Sequence, residues 1–300
     1  MLKPILGVNH HFLFPDSITN EKVHTQTLKE VIQFEGIDAL DCWIWRGSRS
    51  REEIKILRSS DKIINYNIGD RFGEIPICPA SSDKREQIRA YDTLMREIEY
   101  ALVLNSKKIV FASGIDFPED RERAKENLHN LVVKLSTHLP GDVVLALEPT
   151  DRDIDKFFLF GPLGETVDFI KQVRKENVNI GLLLDMCHIP LVHETLESAI
   201  EIGKDVLEHV HLGNCVIKDK TDVYYGDKHP AWDYPGGEYS SEDGKKFVNM
   251  LKNIGYFDKG NATVSFEMRP KGILGAGESL KKFIEVWKST NVFVGEGCVT

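Results

Sequence analysis

From residue 143 onward, four consecutive strand-like runs each stop at a residue that can hold a metal ion or move a proton. Val143-Val-Leu-Ala-Leu147 runs into Glu148, and Gly181-Leu-Leu-Leu184 runs into Asp185, with His188 three residues on. The third is His209-Val-His211, and the fourth is Thr263-Val-Ser-Phe266, which runs into Glu267 with Arg269 beyond. Side chains alternate along a strand, so Glu148 shares a face with Val144 and Ala146, and Glu267 with Ser265 and Arg269. A single charged residue at a strand end often only marks the return to water, but four in succession share one end of one sheet. Three carboxylates and an imidazole gathered at one point repel one another without a cation. Hard oxygen donors with one histidine suit Mn²⁺, Mg²⁺ or Co²⁺ better than a structural zinc site. Such an ion leaves positions for two substrate oxygens, where it polarises a carbonyl and acidifies the neighbouring C–H. Carboxylates on opposite sides of the substrate then carry the proton.

The elements that must position these residues alternate along the whole chain. Strands are expected at Pro4–Asn9, Ile37–Trp45, Lys62–Ile68, Lys108–Gly114, Val143–Thr150, Asn179–Met186, Leu207–Asn214 and Ala262–Met268. Helices are expected at Glu21–Phe34, Arg51–Ser60, Lys84–Leu104, Arg121–His138, Gly164–Glu176, Thr195–Asp205, Ser241–Ile254 and Glu278–Lys288. Strands separated by helices imply a parallel sheet, because each parallel crossover needs a helix. Eight such units in 300 residues fit one closed (β/α)8 barrel, an α/β fold, over residues 1–300. An open doubly wound sheet is the alternative, but no glycine-rich phosphate loop follows the first strand. The stretch 215–240 is long for a connection and carries Trp232, Tyr234, Pro235, Gly236 and Gly237. Long loops in compact domains are commonly functional, and this one would lie over the active site.

Composition narrows the partners. Lys and Arg number 38 against 47 Asp and Glu, a net charge of −9, which argues against nucleic acid. With 41% hydrophobic and 28% charged residues the chain is neither collagenous nor disordered. No run approaches the roughly 18 apolar residues of a membrane span, so no membrane partner is expected. Met1–Phe12 lacks the apolar core of a secretory signal. The 5 cysteines are scattered with no CxxC, which fits a cytoplasmic protein and excludes a disulfide scaffold or a cysteine zinc site.

The Glu148-Pro-Thr after the fifth strand, Asp185-x-x-His188, His211 and Glu267 resemble the xylose isomerase-like TIM-barrel superfamily, which holds sugar isomerases, ketose 3-epimerases, inosose dehydratases and endonuclease IV. The resemblance implies that Glu148, Asp185, His211 and Glu267 bind one divalent ion, Mn²⁺ first, with Mg²⁺, Co²⁺ or Zn²⁺ as alternatives. It implies that Glu148 and Glu267 form the acid/base pair of an epimerase or isomerase working through an enediolate. The substrate would be a small-molecule ketose or aldose, free or phosphorylated. His188 would hold a substrate hydroxyl, and Arg269 would bind substrate or stabilise charge. A keto-sugar or inosose dehydratase is the alternative, with His229 or His188 expelling the hydroxyl. An endonuclease IV-like nuclease is the third reading, on the strength of Asp227-x-His229. That enzyme also needs histidines near the second and third strand ends, where this chain has Asp41, Trp43, Trp45, Asn65 and Asn67.

Trp45 and Asn67 are candidate substrate contacts, since flat aromatics pack on the C–H face of a sugar. His229 is read as a substrate-facing loop residue, against a plain surface histidine. Of His10 and His11, alternation turns one inward. His209 is expected in the core, and His24, His129 and His138 on the solvent faces of helices. A homo-oligomer, dimer or tetramer, is expected from the superfamily, with Val292–Thr300 as a tail suited to an interface.

Overall fold

The computed structural model describes residues 4–69, 77–290 and 292. Apart from Val292, the tail Val292–Thr300 lies outside them. The strands are β1 (Ile5–Asn9), β2 (Ala39–Cys42), β3 (Ile63–Asn67), β4 (Lys108–Ala112), β5 (Val144–Glu148), β6 (Ile180–Asp185), β7 (Leu207–Leu212) and β8 (Thr263–Phe266). They pair in parallel in sequence order, and β8 closes on β1, giving one barrel and one domain.

The helices are α1 (His10–Leu13), α2 (Glu21–Val31), α3 (Ser50–Arg58), α4 (Lys84–Val103), α5 (Arg121–Ser136), α6 (Leu163–Arg174), α7 (His188–Leu191), α8 (Leu196–Gly203), α9 (Ser241–Asn253) and α10 (Ala276–Lys288). Several start at side-chain caps, which satisfy first-turn amides that have no partner within the helix. Asn20 caps α2 and Asp83 caps α4, while Thr195 with Ser198 and Ser240 with Asp243 form capping boxes on α8 and α9. No helix among the described residues is long and apolar enough to cross a membrane.

Alternation divides the buried residues. Leu145, Leu147, Leu182, Leu184, Val264 and Phe266 belong to the large cluster between sheet and helices. Val110, Ala146 and Leu183 form a separate small cluster inside the barrel. Each buried leucine in the outer layer contributes about 1.5–3 kcal/mol. The rest of the interior is polar, and the register sets its rows: Asp41 lies beside Asn9 and Asn65, Asp185 beside His211, and His211 beside Ser265.

Several expectations change, among them the second strand, which ends at Cys42 rather than Trp45. Alternation does not separate His10 from His11. They open α1, and both are buried. The long helix after them ends at Val31 rather than Phe34. His24 does not face solvent. It is fully buried, with Nδ1 2.9 Å from Glu53 Oε1. Glu53 also accepts from Thr25 Oγ1 and the Trp45 amide, both at 2.7 Å, so the carboxylate ties α2 and the segment after β2 to α3.

The stretch between β7 and α9 is fastened down. Asn214 Nδ2 donates to the carbonyls of Ala231 and Tyr239 at 3.1 and 3.0 Å, and its Oδ1 accepts from the Tyr239 amide at 2.9 Å. Buried Trp232 donates to the Gly213 carbonyl at 3.1 Å. These anchors hold Asp227 and His229 at the top of the barrel.

Candidate metal centre

Glu148 and Asp185 are the last residues of β5 and β6, His211 is the next to last of β7, and Glu267 follows β8 directly. In a parallel barrel all four strand ends open on the same rim. Each of these buried residues offers one donor atom, and the four atoms lie within 4.8 Å of one another. His211 Nδ1 is 2.5 Å from Glu267 Oε2 and 3.7 Å from Glu148 Oε1.

These donors fit a divalent ion. Asp185 Oδ2, His211 Nδ1 and Glu267 Oε2 are buried and make no hydrogen bond. A buried polar atom left in that state costs about 1–3 kcal/mol. Burial lifts Glu267 well above the ordinary carboxylate range, His211 opposes the lift, and Asp185 adds to it. Burial also raises Asp185, but His188, His229 and His211 outweigh it and hold that carboxyl below its usual value. Two neighbouring acids are thus driven apart in their affinity for a proton, and a bound cation would relieve both. Three carboxylate oxygens and one imidazole nitrogen suit an ion that prefers oxygen.

A buried carboxylate sets which nitrogen of His211 faces the group. Asp41 Oδ1 accepts from His211 Nε2 at 3.1 Å and from His209 Nε2 at 2.7 Å. Its Oδ2 accepts from Asn65 Nδ2 at 3.2 Å and from the Ser265 hydroxyl. With Nε2–H engaged, Nδ1 of His211 is left for the metal, an arrangement that fixes tautomer and ring orientation. Burial raises Asp41, but His209 and His211 more than reverse it, so it stays ionised. Burial lowers His209 to about 4 despite Asp41, so that ring is neutral. Its Nδ1 accepts from Thr263 Oγ1 at 2.7 Å, and that hydroxyl in turn accepts from Lys108 Nζ at 2.7 Å. His209 is a hydrogen-bonded interior residue, as its sequence position implied.

Above this row lies a cavity of about 200 Å³ lined by Glu148, Glu267, His188, His229, Asp227 and Arg269, among others. His188 Nδ1–H donates to the Pro149 carbonyl at 2.9 Å and turns Nε2 into the site, 3.2 Å from Asp227 Oδ1 and 3.6 Å from Asp185 Oδ2. His229 is buried, with Nδ1–H on the Glu267 carbonyl at 2.8 Å and Nε2 2.5 Å from Asp227 Oδ1. Asn67 is not among the lining residues, although its Oδ1 and Glu148 Oε2 lie 3.2 and 3.3 Å from where a Cβ on Gly69 would sit. Trp45 is not among the lining residues. Its ring packs 5.3 Å from Trp43 and 5.7 Å from His24 instead.

Sequence reasoning passed over other contributors. Asn9 Nδ2 donates to Glu267 Oε1 at 2.5 Å, and the Phe12 ring lies 4.0 Å from that of His229. Lys156 reaches Asp227 Oδ2 at 3.3 Å from the loop after β5. Asp41 left a visible trace, as a carboxylate inside the apolar strand Ala39-Leu-Asp-Cys42. Asn9 closes the first strand and so carried the same strand-end signal, whereas Lys156 left none, because only chain folding brings it to the rim.

A family model described as xylose isomerase-like TIM barrel matches residues 50–289. No curated protein matches the chain in sequence. Among solved structures, an AP endonuclease, family 2, from Brucella melitensis superposes with a TM-score of 0.68 at 19% identity, covering 94% of this chain and 99% of that one. D-psicose 3-epimerase from Clostridium cellulolyticum, solved with D-tagatose, gives 0.62 at 18%, covering 97% and 93%. Endonuclease IV from Thermus thermophilus gives 0.64 at 16%, covering 96% and 100%. Similarity at this level concerns the fold.

Proposed function

Because the chain belongs to the xylose isomerase-like TIM barrel family, we propose that it is a divalent-metal-dependent sugar epimerase or isomerase acting on a small ketose or aldose. The observation that carries this reading is that Glu148 and Glu267 both belong to the four-donor group and both line the cavity. Glu148, Asp185, His211 and Glu267 would hold the ion. When bound, it would polarise the substrate carbonyl and the adjacent hydroxyl and so acidify the C–H beside them.

The chain's own residues supply the proton transfers. One glutamate takes the proton from carbon as the C–H electron pair moves into the C=C of an enediolate. The other returns a proton to the opposite face, which inverts that carbon. Asn9 holds Glu267 through Oε1, fixing the direction of its second oxygen. His188, with Nδ1–H committed to Pro149, presents Nε2 to a substrate hydroxyl. Phe12, Ile18, Ala112 and Phe158 line the apolar side of the cavity, which limits water around the enediolate. A cavity of about 200 Å³ suits a substrate of sugar size rather than a polymer.

The test is exchange of solvent deuterium into a panel of ketoses and aldoses by the Mn²⁺-loaded protein, read by NMR. Exchange at the carbon beside the carbonyl supports the reading, and its absence across the panel rejects it. Loss of water from the sugar, seen by mass spectrometry, would point to a dehydratase instead. One observation favours a second reading. His229 Nε2 and His188 Nε2 lie 2.5 and 3.2 Å from the same oxygen, Asp227 Oδ1, a donor group that a nuclease with several metals would require. Elemental analysis separates the two readings: one ion per chain supports the epimerase, and three support the nuclease.

A further inference from the structure

The cations that line the cavity among the described residues are Lys156, Lys228 and Arg269, and they are not equally committed. Lys156 is paired with Asp227 at 3.3 Å. Lys228 is paired with both oxygens of Asp155, at 3.1 and 2.8 Å. Arg269 forms no ion pair with any carboxylate among the described residues. Its backbone amide donates to the His229 carbonyl at 2.8 Å, and its Nε donates to the Lys228 carbonyl at 2.9 Å. These two bonds fasten the residue to the loop that carries Asp227 and His229. They orient the guanidinium plane and leave Nη1 and Nη2 uncommitted. Arg269 is half-buried and stands two residues beyond Glu267.

A guanidinium held by Nε on a residue that lines the cavity, with neither terminal nitrogen hydrogen-bonded, is a preformed fork for a carboxylate or a phosphate. A neutral sugar would leave that charge without a partner in a partly desolvated site. We propose that the substrate carries an anionic group, a carboxylate or a phosphate, and that Arg269 binds it through Nη1 and Nη2. The proposal rests on reading the cavity as a sugar-converting site and names the class of sugar.

Calorimetric titration of the Mn²⁺-loaded protein with D-fructose, D-fructuronate and D-fructose 6-phosphate tests it. One charged probe should bind at least about tenfold tighter than D-fructose, as charge-assisted bonds to a fork require. The stronger of the two charged probes identifies the anion. Arg269→Gln should erase that margin, while Arg269→Lys, which keeps the charge but loses the fork, should retain part of it. The affinities of both variants for Mn²⁺ and D-fructose should stay within about twofold of the parent. Three results would overturn the proposal: no margin over D-fructose, a margin that survives Arg269→Gln, or a loss shared equally by all three probes. Deuterium exchange is followed in parallel. A margin without exchange keeps the anion site and rejects the epimerase, and exchange without a margin does the reverse.

Discussion

Asp41 and His211 sit on strands separated by most of the chain, yet Asp41 Oδ1 accepts from His211 Nε2 at 3.1 Å inside the barrel. That bond points the other ring nitrogen of His211 at Glu148 and Glu267. Ser265 completes the carboxylate's shell, and it reaches Asp41 across Gly7, where an added Cβ would lie 2.5 Å from the serine Oγ. The metal-facing geometry is therefore built from below, by residues that no substrate touches.

Asp41→Asn should weaken Mn²⁺ binding by about 10–100-fold, the usual cost of losing the partner that orients a histidine ligand. The amide nitrogen replaces an acceptor with a donor where every neighbour already donates. Titration of the metal-free protein with Mn²⁺ measures the effect, and an unchanged affinity would show that Asp41 does not orient His211.

Glu267→Gln should abolish deuterium exchange while raising the melting temperature of the metal-free protein by about 2–4 °C, equivalent to roughly 1 kcal/mol. The substitution spares the folded protein the proton uptake that burial forces on Glu267 beside Asp185, and provides an N–H that can donate to His211 Nδ1. Glu148→Gln should likewise abolish exchange. Full activity in either variant would remove that residue from the acid/base pair.

Gly213→Ala should cut Mn²⁺ affinity and activity together, by about tenfold or more. A Cβ there would lie 2.7 Å from Cys187 Cβ, 2.8 Å from Asp185 Oδ1 and 3.2 Å from His229 Nδ1, so it displaces a ligand and a cavity wall at once. A crystal structure of the variant with Asp185 unmoved would contradict this account.

Glu165 adds an acid dependence in the outer ring. Its hydrogen bonds with Arg152 hold it down to about 2, with Lys125 adding to the shift against desolvation. A lowered carboxylate stabilises the fold fully above its unfolded pKa and loses that contribution as pH falls towards 2. The site is partly exposed, so Glu165→Gln should cost no more than about 1 kcal/mol at pH 7. That difference from the parent should shrink steadily in urea titrations below about pH 4.5.

Much of the centre was legible because strand ends are local features. Glu148, Asp185 and Glu267 each close an apolar run, and His211 shares a strand face with His209, so alternation and position place them together once a barrel is inferred. His24 escaped the same reasoning. Its helix is amphipathic, but its ring meets Glu53 on another helix, and no local period reports a buried partner 29 residues away. Trp45 looked like a sugar platform beside Trp43, yet the chain has already left β2 at Cys42 and turns that ring onto His24.

The sequence by itself determined the eight-fold alternation of strand and helix, hence the barrel, and the residue types at four strand ends, hence a donor group that could hold a metal ion. Tertiary structure decided how those groups are used. Closure of β8 on β1 brings Asn9 to Glu267, and the barrel's girth brings Asp41 to His211 across strands that are not neighbours. The folded loop after β7 commits Lys228 to Asp155 and leaves Arg269 open. Periodicity is a property of a few consecutive residues, whereas the pairing of charges depends on distances that exist only after the chain has closed on itself.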